Sequence, residues 1–370
     1  MSKLARNLLV TTALVAATGA AFAARTGNGP QANAANPLRI SMLADSNSSQ
    51  AFMGTVQFRI TNNSDDIVKI PSWLLPSNEA TGKLFDVSRG GKQVDYLGPM
   101  IKRPAPTEAD LVTFQPHETK IVSVDLSRAY DLSAGGDYTV RFRSTLQGAF
   151  NGKGQRIAAA DGRLLNFESV PLKLWVDSNN PLLSLQPEAA VKPAATSVVN
   201  GVTYVGCTTA RINTAGTAVV EARKYSENSK LYLNAGTQGP RYTTWFGAYT
   251  SSRYTTVRSH FSSIDTAMDQ TGGKIKINCG CNQNYYAYVY PTKPYEIFVC
   301  KAFWSAPTTG TDSKAGTLIH EMSHFNVVAG TDDHVYGQSG AKNLAITNPN
   351  NAVDNADNHE YFAENTPFQN

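Results

Sequence analysis

From Gly316 to Phe325 the chain reads Gly-Thr-Leu-Ile-His-Glu-Met-Ser-His-Phe, with His320 and His324 four residues apart and Glu321 directly after the first. On a helix, positions four apart share a face, so two imidazoles at this spacing can address one ion. Glu321 then borders the open coordination position. There a carboxylate can take a proton from an attacking water and later hand it to a departing amine. Asp312 and Ser313 offer an N-cap for such a helix. The competing reading is a helix with two surface or capping histidines, since so short a pattern also arises by chance. Residues further along decide between the two.

A hydrolytic zinc site takes three protein ligands and leaves a fourth position open. A metzincin would carry Gly three residues after the second histidine and His three further on, but those positions hold Val327 and Gly330. A gluzincin would take Glu360 or Glu364 from a later helix. A third possibility is the stretch Gly330-Thr331-Asp332-Asp333-His334-Val335-Tyr336-Gly337, whose glycines permit a tight turn that returns a carboxylate towards the ion. His334 is a rival donor in the same stretch. HEMSH followed by GTDDHVYG resembles the aspzincin metallopeptidases, whose pattern is HExxH followed by GTxDxxYG, and every fixed position is matched. The resemblance implies one Zn2+ per chain on His320, His324 and Asp333, with Glu321 as general base. It also implies that Tyr336 hydrogen-bonds the substrate carbonyl and the oxyanion that develops from it, a role that suits a phenol donor. His334 falls at a variable position of the pattern.

Asp357, Glu360 and Glu364 lie at i, i+3 and i+7, one face of a helix. By themselves they read as an ordinary solvated acidic face. Aspzincins include deuterolysins and peptidyl-Lys metalloendopeptidases, and the run Ala-Asp-x-x-Glu-Tyr-Phe-Ala-Glu-Asn at residues 356–365 is similar to the latter. That similarity implies that Asp357 and Glu360 receive a lysine side chain just after the scissile bond. An ammonium entering a partly desolvated pocket needs fixed counter-charge. The bulkier, planar guanidinium of arginine is a poor fit for a pocket built around a point charge. The resemblance runs from Thr203 to the C-terminus, under half of the chain, and implies the disulfides Cys207–Cys279 and Cys281–Cys300.

The elements around these residues divide in two. Lys3 and Arg6, the short apolar run at 8–17 and Ala21-Phe22-Ala23 are read as a signal peptide, residues 1–23. The run is too short to span a bilayer. In residues 24–177, Val56, Phe58 and Ile60 alternate with polar neighbours, as do Val122, Val124 and Leu126, and Tyr138, Val140 and Phe142. Alternation of this kind, broken by turn residues, predicts an all-β, sandwich-like domain. No cysteine or clustered histidine marks it as chemical. Residues 178–202, with Pro181, Pro187 and Pro193, read as a linker or processing region. In residues 203–370, Ile212, Ala215, Val219 and Ala222 fall at helical spacing, as do Val257, Phe261, Ile264 and Met268. Strand-like runs lie at 274–278, 285–290 and 296–300. The expected C-terminal fold is therefore α+β and, by the resemblance, zincin-like.

All four cysteines lie in the second half, which in an exported chain favours two disulfides. A net charge of +4 without a Lys/Arg block excludes nucleic acid as the main partner. The expectation is a secreted, extracellular, monomeric zinc endopeptidase acting on proteins and peptides on the amino side of lysine, without stable membrane association. A broader deuterolysin-like protease is the close alternative; a non-catalytic exported binding protein with structural zinc is the remote one. The first half reads as the pro-domain of a zymogen that assists folding, blocks the cleft, or both. A cysteine switch is excluded, since no cysteine precedes Cys207. Self-cleavage before Thr203 does not fit a lysine rule, and Lys192 precedes Pro193. Another protease is expected to trim the junction, or self-cleavage occurs elsewhere and trimming follows.

Overall fold

A computed structural model describes residues 36–44, 54–78, 82–178 and 194–370. The expected signal peptide, and most of the linker, lie outside the described residues. In the first half, Leu38–Ala44, Thr55–Asn62 and Thr119–Asp125 form an antiparallel sheet with Thr55–Asn62 at its centre. A second antiparallel sheet is built on Gly136–Thr145, flanked by Phe85–Arg89 on one side and by Asn166–Glu168 and Leu172–Val176 on the other. The alternating residues do what their period demands. Val56, Phe58 and Ile60 from one sheet and Tyr138, Val140 and Phe142 from the other are buried. They meet ring to ring, with Phe58 5.5 Å from Phe85 and 6.1 Å from Phe142. Each such ring contributes about 1.5–3 kcal/mol by leaving water. The first half is β-rich, as its sequence predicts.

The second half places two long helices, Thr209–Asn234 and Ser251–Met268, beside a mixed sheet. Ala215, Val219 and Ala222 of the first and Val257, Phe261, Ile264 and Met268 of the second are buried, so both apolar stripes are core. The sheet runs Thr196–Val199, Val202–Val205, Lys276–Asn278, Glu296–Val299, Ala287–Val289. Its inner pairs are parallel, and Ala287–Val289 runs antiparallel to Glu296–Val299. The disulfides Cys207–Cys279 and Cys281–Cys300 fasten one end of this sheet. Two features depart from the expected division. Residues 196–199, assigned to the linker, are a strand paired with Val202–Val205. A sixth strand, Met100–Lys102, comes from the first half and pairs antiparallel with Ala287–Val289. The halves thus share a sheet.

Candidate active site

The helix Lys314–His324 starts where Ser313 Oγ accepts from the Gly316 amide at 2.9 Å. Of the two capping candidates it is Ser313 that caps; Asp312 turns aside with φ at +51°. Every residue of this helix is buried. It packs on the helix Ala356–Glu364 so closely that a Cβ at Gly316 would overlap Glu364 Oε1. That oxygen already accepts from the Ser313 amide and hydroxyl, both at 2.8 Å, so it has nowhere to move. Gly316→Ala should therefore lower stability by about 1–3 kcal/mol, the usual effect of overpacking. Equilibrium urea unfolding reads this directly, and an unchanged midpoint would contradict it.

After His324 the chain reverses through Gly330, at φ +62°, a conformation glycine adopts without steric cost. The reversal is tied by the Thr331 amide donating to Ser323 O at 3.1 Å. Two backbone bonds, Asp332 N to Asp354 O at 2.7 Å and Ala356 N to Asp332 O at 3.0 Å, fix the next segment to the start of the helix Ala356–Glu364. Asn355 Oδ1 accepts from the amides of His334 and Val335 at 2.8 and 3.1 Å. Asp333 is thereby held against the metal helix. Its Oδ1 lies 3.3 Å from His320 Nε2 and 3.4 Å from His324 Nε2.

Those three side chains form a donor set that fits a metal. Both Nε2 atoms and both Asp333 oxygens are buried without a hydrogen-bond partner, an arrangement that is costly unless something else completes it. The opposite ring nitrogens each face an oxygen. His324 Nδ1 faces Thr331 O at 2.7 Å, and His320 Nδ1 faces Asp357 Oδ1 at 2.8 Å. Outer partners of this kind fix which nitrogen is presented to an ion. Burial raises the Asp333 carboxyl, but the His324 and His320 rings outweigh it and hold the group well below the usual carboxylate range. The rival donors lie elsewhere. His334 Nε2 is 2.9 Å from Asp354 Oδ2, Glu364 accepts from the amide and hydroxyl of Ser313, and Glu360 lies on the Nδ1 side of His320.

Glu321 is fully buried, and neither carboxylate oxygen has a hydrogen-bond partner. Burial raises its carboxyl to about 7, against the pull of His320 and His324. That is where a group exchanging protons at neutral pH is most effective. The Tyr336 phenol is held far above its ordinary value by burial, with the charge of Asp333 adding to it, so it remains a donor. It donates to Ile101 O at 3.0 Å. Its backbone is gripped by Gln147, whose Oε1 accepts from Tyr336 N at 2.8 Å and whose Nε2 donates to Tyr336 O at 2.5 Å.

Beside His320 lies an acidic pocket that already contains a lysine. Lys102 Nζ is 2.6 Å from Glu360 Oε2, 3.5 Å from Asp357 Oδ1 and 3.5 Å from Asp312 Oδ1. The Tyr286 ring lies 5.1 Å from the ammonium and the Tyr361 ring 5.8 Å. Tyr361 also donates to Asp312 Oδ1 at 2.6 Å. Burial alone would push the Lys102 ammonium down, but Asp357, Glu360 and Asp312 hold it well above its ordinary value, so it is charged. The residues flagged by sequence are therefore together: His320, Glu321, His324, Asp333 and Tyr336 around one centre, and Asp357 and Glu360 beside it. Sequence reasoning missed Asp312, Tyr286 and the first-half residues Lys102 and Gln147. In the sequence Asp312 reads only as a capping candidate, and nothing local marks the others.

The aspzincin family model, described as lysine-specific metallo-endopeptidase, matches residues 232–364. An extracellular protease of Aeromonas hydrophila is 42% identical over 317 residues, covering 85% of this chain and 89% of its own. A peptidyl-Lys metalloendopeptidase of Grifola frondosa is 34% identical over 333 residues, covering 89% and 85%. A solved zinc peptidase from Grifola frondosa is 45% identical, covers 44% of this chain and 100% of its own, and superposes with a TM-score of 0.43.

Proposed function

The chain belongs to the aspzincin family of lysine-specific metallo-endopeptidases, and from that premise we propose that His320, His324 and Asp333 hold one catalytic Zn2+ and that the enzyme hydrolyses the bond before lysine. The single observation that carries the reading is the convergence of two partnerless Nε2 atoms and one partnerless carboxylate in the core. Zinc bound there would polarise the scissile carbonyl and lower the pKa of water. The other steps belong to side chains. Glu321 takes the proton of the attacking water and delivers it to the leaving nitrogen. Tyr336 donates to the carbonyl oxygen as negative charge builds on it, where a preplaced donor counts most. Asp357 Oδ1, 2.8 Å from His320 Nδ1, is placed to orient that ring while also facing the lysine pocket.

Specificity follows from charge. The pocket brings three carboxylates to within 3.5 Å of one ammonium and has aromatic walls, a setting for a compact cation. Digestion of a denatured protein, followed by sequencing of the new N-termini, should give mostly lysine. A broad spread of residues would favour the deuterolysin-like alternative. Glu360→Gln removes the closest counter-charge, a contact of about 1.5–3 kcal/mol, so kcat/KM for lysine peptides should fall about 10- to 100-fold. An unaltered value would remove Glu360 from the pocket's working set.

The signal-like start, with a relative named as an extracellular protease, supports export. Among the described residues no helix is long and apolar enough to cross a membrane. We read residues 24–177 as the pro-domain of the exported precursor, and 203–370 as the peptidase acting on proteins and peptides as a monomer.

A further inference from the structure

The strand Met100–Lys102 lies on the edge of the catalytic sheet as an added peptide would. Ile101 pairs with Tyr288 and Lys102 with Ala287, and the Tyr286 amide donates to Lys102 O at 3.0 Å. Extended segments bound to a sheet edge take affinity from backbone bonds and specificity from side-chain pockets. Here the lysine fills the acidic pocket, and the carbonyl immediately before it, that of Ile101, accepts from the Tyr336 phenol. These are the two contacts that cleavage before a lysine requires of its substrate. The segment is held on both flanks. Met100 is buried, and the Arg103 guanidinium lies between the Trp73 ring of the first half, at 4.9 Å, and the Tyr285 ring of the second, at 4.6 Å.

We propose that Ile101–Lys102 is a self-processing bond, presented by the first half to the active centre of its own chain. The proposal rests on the lysine-pocket reading above. The oxygen of water bonds to the Ile101 carbonyl carbon, and the carbon–nitrogen bond to Lys102 breaks. Glu321 carries a proton from the water to the Lys102 nitrogen, leaving a carboxylate on Ile101 and an amine on Lys102. Until the segment departs, no outside lysine can enter the pocket.

The test uses the full-length precursor. In the metal-free Glu321→Gln chain, reductive methylation mapped by mass spectrometry should leave Lys102 unmodified while the exposed Lys153 reacts. Equal labelling of the two would overturn the seating of Lys102. When zinc is added to the metal-free wild-type precursor, intact mass and N-terminal sequencing should reveal a new terminus at Lys102. Its rate constant should not depend on protein concentration, and the product should be absent from Glu321→Gln. A rate that rises in proportion to concentration would overturn processing within one chain. A Lys102 bond left intact, in a preparation whose mature form cuts peptides before lysine, overturns self-processing and leaves the specificity standing. A mature form with no lysine preference would instead remove the pocket reading and this proposal with it.

Discussion

Glu321→Gln is expected to keep the metal and to lower kcat for peptide hydrolysis by about 10²–10⁴-fold, the usual contribution of a positioned general base. The amide matches the carboxylate in size, so the buried helix that carries it need not repack. What is lost is the ability to accept a proton from water. No neighbour is placed to substitute, because Asp333 is committed to the histidine pair and Asp357 and Glu360 lie on the far side of His320. Metal content and steady-state rate, measured on the same sample, check both halves of the statement. A variant retaining more than about a tenth of wild-type kcat would remove Glu321 from the proton path.

Asp333→Ala should act earlier, on the metal itself. Two imidazoles would remain where three donors stood, and the affinity loss should exceed the roughly 10- to 100-fold typical of disturbing an outer partner. Dialysis against a weak chelator followed by elemental analysis should find wild type with one zinc per chain and the variant with almost none. Hydrolysis should vanish in parallel. Should the variant hold its zinc through dialysis, the third donor lies elsewhere, and His334, turned towards Asp354 in this structure, would need to swing inwards.

The metal site was legible because its geometry is local. His320 and His324 are one helical turn apart, so spacing marks that pair, whereas Asp333 stands out from His334, Glu360 and Glu364 only through the resemblance of GTDDHVYG to the aspzincin pattern. The long helices and the sandwich strands were legible for the same reason: burial repeats at the period of each element. What escaped was set by contacts distant in sequence. Met100-Ile101-Lys102-Arg103 has no signature, and Lys102 acquires meaning only because its strand docks on Ala287–Val289. Gln147 acts on Tyr336 from the same remote half. The strand Thr196–Val199 was hidden for another reason. All four of its residues are exposed, so no alternation marks it. Asp312 was misread because a residue just before a helix suits a cap. Its left-handed backbone instead turns the carboxylate towards Lys102 and Tyr361.

Both sulfur bridges fall between Cys207 and Cys300, and every cysteine of the chain is used in them. Once the backbone is severed in the junction at residues 178–202, no covalent strap retains residues 102–177; only the shared sheet, the Gln147 grip on Tyr336 and the seated Lys102 do. Their parting is then governed by dilution and ionic strength, not by reductant, and the liberated peptidase carries away its full set of crosslinks.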